Sequence, residues 1–133
     1  MNAWSHLPNA CHIDRVLESA KSHPEIWDAA LNTRLAAHGA ALDASRFAAL
    51  NASRVTALNA SWVTAWNVAW VAATLATMDA TAALIAFDDA SKYLDIPSDK
   101  LRVLAIISEN PAAILLLPAV IAFERINKLE NAI

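Results

Sequence analysis

Leu42-Asp-Ala-Ser-Arg-Phe-Ala-Ala49, Leu50-Asn-Ala-Ser-Arg-Val-Thr-Ala57, Leu58-Asn-Ala-Ser-Trp-Val-Thr-Ala65 and Trp66-Asn-Val-Ala-Trp-Val-Ala-Ala73 are four copies of one eight-residue unit. A large residue recurs at every fourth position, Leu42, Arg46, Leu50, Arg54, Leu58, Trp62, Trp66 and Trp70, with Met78 two steps on and small residues between. From about Ala41 to Lys92 there is neither glycine nor proline and alanine recurs throughout, so one long helix is the default reading. A period of four exceeds the ~3.6 residues of a helical turn, and each step therefore moves the row about 40° around the axis. The nine steps from residue 42 to residue 78 carry it once around. No single face is then polar, and partners are needed on successive sides. The pattern predicts an all-α bundle built around this alanine-rich helix, with short helices packed back on it.

Length sets a condition on that reading. About 50 residues of unbroken helix would span roughly 75 Å, whereas a compact domain of this size has a radius of gyration of only about 14 Å. Either the helix breaks between Thr74 and Thr81, or neighbouring copies cover what the chain's own short helices cannot. Self-association is the expectation.

Outside the repeat, breakers punctuate both ends. Pro8 starts a helix through Val16 and Leu17, and Ser22-His23-Pro24-Glu25 reads as a capping box for a second helix. That helix runs to about His38, with Gly39 as a left-handed cap. Asp95-Ile96-Pro97-Ser98-Asp99 supplies a turn and a fresh cap for a short helix over residues 101–108, and Asn110-Pro111 starts another. Pro118, which has no N–H for the carbonyl four residues back, should divide residues 112–117 from residues 119–129 at a kink. The chain reads as one domain: two helices in residues 1–40, the repeat helix in residues 41–92, and short helices in residues 96–130.

A length of 133 residues is enough for one core. Fifty-seven per cent of the residues are hydrophobic and 17% charged, more apolar than an average soluble domain, although much of the excess is alanine. A formal net charge of -3 offers no field for a phosphate backbone, which argues against nucleic-acid binding. The single Cys11 cannot form an internal disulfide, and the start Met1-Asn2-Ala3-Trp4-Ser5-His6 does not read as a secretory signal, so the cytoplasm is the expected compartment.

The residues that stand out point to protein contacts and not to a reaction. Trp62, Trp66 and Trp70 lie one turn apart and are candidates for a protein interface, since tryptophan dominates binding hot spots. Aromatics at that spacing also fill cores, which is the favoured account. Arg46 and Arg54 continue the row as further interface candidates, and Arg54 has no carboxylate three or four positions away. Glu124 or Glu130 from the tail, or an acidic group on another molecule, could pair with it. Asp88 and Asp89 are adjacent and point about 100° apart on a helix, unlike a paired acid–base or metal site. Cys11-His12 lacks the recurring spacing of a zinc site. No nucleophile triad, phosphate loop or nucleotide motif occurs, so no enzyme, cofactor or metal is expected.

A membrane reading rests on residues 55–78, which run 24 residues without a charge. Seven of them are Ser, Thr or Asn, and flanking basic residues are sparse, which sets a membrane span below the protein-binding reading.

The Ala/Trp repeats lead into Ala82-Ala83-Leu84-Ile85-Ala86-Phe87-Asp88-Asp89, Tyr93-Leu94-Asp95-Ile96-Pro97 and the ending Asn110-Pro111-Ala-Ala-Ile-Leu-Leu-Leu-Pro118-Ala-Val-Ile-Ala122. Residues 42–123 thereby resemble a group of uncharacterised phage and prophage proteins, in which short Ala-rich repeats precede such an ending. The resemblance implies a phage or prophage setting and carries no functional residue with it. Taken together, the expectation is a non-enzymatic, self-associating helical protein that binds a host or phage protein. A structural or scaffolding oligomer is the alternative.

Overall fold

The computed structural model describes residues 7–31, 39–50, 75–108 and 110–131, which form helices with no strand among them. In the first helix, α1 (Ala10–Ser22), Ile13, Val16, Leu17 and Ala20 recur at the spacing of one helical face, and all four are buried. The helix begins two residues after Pro8. Pro8 sits inside a turn closed by the Ala10 N–H donating to the Leu7 carbonyl, a position for which its fixed φ is suited.

The capping box at residues 22–25 does not form as expected, because Ser22 is the last residue of α1. His23, at φ -134° and ψ 56°, is the whole interruption. A proline disfavours helical geometry in the residue before it, so the break falls on His23 and α2 (Pro24–Leu31) restarts at once. The His23 carbonyl accepts the Trp27 N–H, and Trp27 and Ala30 are buried. Gly39 is not a cap that ends this helix; it is the first residue of α3 (Gly39–Leu50), an end where glycine is tolerated. The expected extension of the second helix to His38 lies outside the described residues.

Residues 41–92 are not one straight helix. Arg46 in α3 bonds Asp79 in α4 (Leu75–Ala86), 33 positions on. A straight helix would hold those positions about 50 Å apart. The repeats from residue 51 to residue 74 lie outside the described residues. Helix α4 ends at Ala86, six residues short of Lys92. Asp88 and Asp89 follow in a turn, where their side chains compete with helical backbone bonding, and a 3₁₀ helix (Ala90–Asp95) comes next. Every residue of α4 from Ala76 to Ala86 is buried, as a helix with no polar face requires.

Helix α5 (Ser98–Ser108) starts just after Pro97, whose carbonyl accepts the Leu101 N–H. Its cap is tertiary, with Ser98 N–H donating to the Glu124 carboxylate, 3.2 Å from each oxygen. Asn110 caps the last helix as its sequence implies, its Oδ1 accepting from the Ala112 N–H at 2.9 Å and the Ala113 N–H at 3.4 Å. That helix, α6 (Pro111–Asn131), continues past Pro118 where a division was expected. Proline removes one ladder bond, and the buried run from Leu115 to Ala122 holds the helix together around it.

The middle of the bundle is shared by α4 and α6. Helix α6 packs on α2, α3, α4, α5 and the 3₁₀ helix, while α4 packs on α1, α2, α3 and α6. Trp27, fully buried, meets Phe123 edge to face at 5.4 Å and donates its indole N–H to Ser19 Oγ at 3.0 Å, tying α2 to α6 and α1.

Candidate protein-interaction site

Of the five interface candidates read from the sequence, Arg46 is the one the structure describes. Trp62, Trp66, Trp70 and Arg54 lie outside the described residues. Arg46 is engaged within the fold: its Nε donates to Asp79 Oδ1 at 2.8 Å and its Nη2 to Asp79 Oδ2 at 3.0 Å, a two-pronged pair. Nη1 reaches Asp43 at 3.4 Å. The hydrogen bonds that Arg46 donates to Asp79 raise its pKa above the ordinary value, with burial acting against them and the charges of Asp79 and Asp43 adding to them. Asp79 is 1% exposed, so this pair fastens α3 to the buried α4.

Asp88 and Asp89 are exposed on their turn, and Asp89 pairs with Lys92 at 3.3 Å, consistent with a solvated helix end. Cys11 is exposed and unbridged, with His12 half-buried beside it. Among the described residues no group of His, Cys, Asp and Glu side chains could hold a metal ion. None of the helices among them is long and apolar enough to cross a membrane.

The outward side of α5 is a surface that sequence reasoning passed over. Leu101 and Ala105 face inward and are buried, whereas Val103, Leu104, Ile106 and Ile107 stand exposed, Ile107 at 77%. At about 100° per residue those four side chains cover an arc of roughly 160°. The signal was present in Val103-Leu104-Ala105-Ile106-Ile107, five apolar residues in succession where a helix against one core needs a stripe. Two further large apolar side chains are exposed elsewhere among the described residues, Phe47 on α3 and Leu129 on α6.

A concave feature lies where α1, the end of the 3₁₀ helix and the C-terminal half of α6 meet. It is a groove of about 540 Å³ with Phe123 in its wall and Arg15 stacked on that ring, the guanidinium carbon 4.3 Å from the ring centre. No protein-family model, curated protein or solved structure matches the chain.

Proposed function

We propose that this chain is a non-enzymatic helical protein-interaction protein that acts in the cytoplasm, associates with itself and binds another protein. The observation that carries the reading is the exposed face of α5. Contiguous exposed aliphatic side chains on a small helical domain mark a contact surface, because leaving them in water forgoes about 1.5–3 kcal/mol for each one fully buried. A helix that is apolar on both sides is suited to lie between its own core and a partner. The free Cys11 suits a reducing compartment.

The test is sedimentation velocity over a range of protein concentrations, on the wild type and on Ile107→Lys. The reading expects a concentration-dependent oligomer in the wild type and a monomer with an unchanged helical spectrum in the variant. A wild type that stays monomeric at high micromolar concentration overturns self-association.

Scaffolding is the second reading, favoured by Phe47 and Leu129. An open assembly needs at least two different contact surfaces per copy, and these positions lie on helices other than α5. It expects assemblies that keep growing with concentration, where the first reading expects a closed oligomer.

A further inference from the structure

The groove between α1 and α6 combines an apolar floor with an excess of negative charge. Leu94, Val120 and Ile126 are buried at its base, and Phe123 stands half-buried in its wall. Three carboxylates, those of Asp95, Glu124 and Glu130, border it against the single guanidinium of Arg15. Asp95 and Glu130 are exposed and have no side-chain hydrogen bond or ion pair among the described residues. The Glu124 carboxylate receives one backbone N–H, from Ser98, shared between its oxygens, so most of its acceptor capacity is unused. Arg15 forms no ion pair with any of the three; it stacks on Phe123 instead.

We propose that this groove binds a basic peptide segment of another protein, with an arginine set among the three carboxylates and an apolar neighbour on the floor. Charge decides the sign of the occupant: an acidic ligand would meet a surplus of two negative charges, whereas a cationic one neutralises it. Arginine fits better than lysine because its planar fork can bond two carboxylate oxygens at once and can lie against an aromatic ring, as Arg15 already does here. The volume lies within the range of sites that take a short peptide or drug-sized molecule. This surface shares none of its groove-lining side chains with the exposed face of α5, so the two sites stand or fall separately.

The experiment is an amide NMR titration of the full chain with acetyl-Leu-Arg-Arg-Leu-amide, against acetyl-Leu-Glu-Glu-Leu-amide as the charge-reversed control. Binding in the groove shifts resonances of residues 94–96 and 123–130 and of Arg15, weakens as salt is raised, and is absent with the acidic peptide. The double substitution Asp95→Asn with Glu130→Gln changes two exposed side chains and should weaken the basic peptide about tenfold or more while leaving the helical spectrum intact. No shift at about 1 mM basic peptide overturns the proposal, as do equal shifts with the acidic peptide or an affinity indifferent to the double substitution. Because Ile107 is distant from the groove in sequence and faces outward on α5, the Ile107→Lys variant should bind the basic peptide as the wild type does.

Discussion

The Arg46 guanidinium and the Asp79 carboxylate form a two-pronged pair across the α3–α4 contact, one partner half-buried and the other 1% exposed. Removing only the cation leaves a carboxylate inside a helix that is otherwise Ala, Thr, Met, Leu and Ile. Arg46→Met should therefore lower the unfolding free energy by about 3 kcal/mol or more, measured by urea denaturation. The double variant Arg46→Met with Asp79→Leu should recover much of the loss, since the buried charge is gone too. A single variant as stable as the wild type would show that the pair contributes nothing. The sign of the pH effect follows from the raised Arg46 pKa: this contribution is fully present below the ordinary arginine value and is lost only as pH rises through the folded one. It adds no slope to stability near neutrality.

Asn9 is 2% exposed and does not cap its own helix. Its Nδ2 instead donates to the carbonyls of Leu84 and Phe87, both at 2.9 Å, where α4 ends and its last carbonyls lack helical donors. Asn9→Ala should cost about 1–3 kcal/mol by leaving the Leu84 carbonyl poorly satisfied, whereas the Phe87 carbonyl keeps the Ala90 N–H. Asn9→Asp should cost more, because a carboxylate cannot donate and would face two carbonyl oxygens. Equal stability of the aspartate and alanine variants would contradict this arrangement.

The all-α class is legible in the sequence, and so is the burial of α4, whose residues 75–86 carry one charge and no polar face. The spiral row reaches α4 only at Met78, and α3, which holds Leu42, Arg46 and Leu50 of that row, still leaves Asp43, Ala44 and Phe47 exposed. The Asn110 cap is legible too, because asparagine before proline acts locally. What is not legible depends on long-range choices. A spiral row says that partners surround the helix, but not that α6 shares the centre with α4 or that Arg46 meets a carboxylate 33 residues away. Asn9 lies next to a helix start and reads as a local cap, yet its amide serves a carbonyl 75 positions on. At Ser22 the local rule lost to a stronger one, as the residue before proline leaves the helical region whatever capping partner lies nearby. The exposed face of α5 was legible as an excess of aliphatic residues; the unanswered question was which side the core would take.

Thr81 is buried in α4, and its Oγ1 has no hydrogen-bond partner among the described residues. An unsatisfied buried hydroxyl costs about 1–3 kcal/mol, whereas valine fills nearly the same shape with no polar atom. Thr81→Val should raise the urea midpoint, with a gain of about 1 kcal/mol. A loss of stability would mean that the hydroxyl is satisfied after all.

Pro118 sits within the unbroken helix α6 with its ring buried. Two opposed terms decide what Pro118→Ala should do. Alanine restores the N–H that the Ile114 carbonyl lacks and removes a helix penalty of about 3 kcal/mol. Against that, the variant deletes about two buried ring methylenes, worth roughly 0.8 kcal/mol each before any cavity is counted. The helix term is the larger, so the variant should be more stable by about 1 kcal/mol, with a higher melting temperature. Amide exchange offers an independent reading: the new N–H of residue 118 should be strongly protected, since residue 118 is buried in the bundle. A variant less stable than the wild type, with a protected amide, would show that the ring's packing against its neighbours outweighs the hydrogen bond it removes. An unprotected amide would instead show that α6 is bent open at this turn even without proline, so that the neighbouring helices and not the ring impose its path.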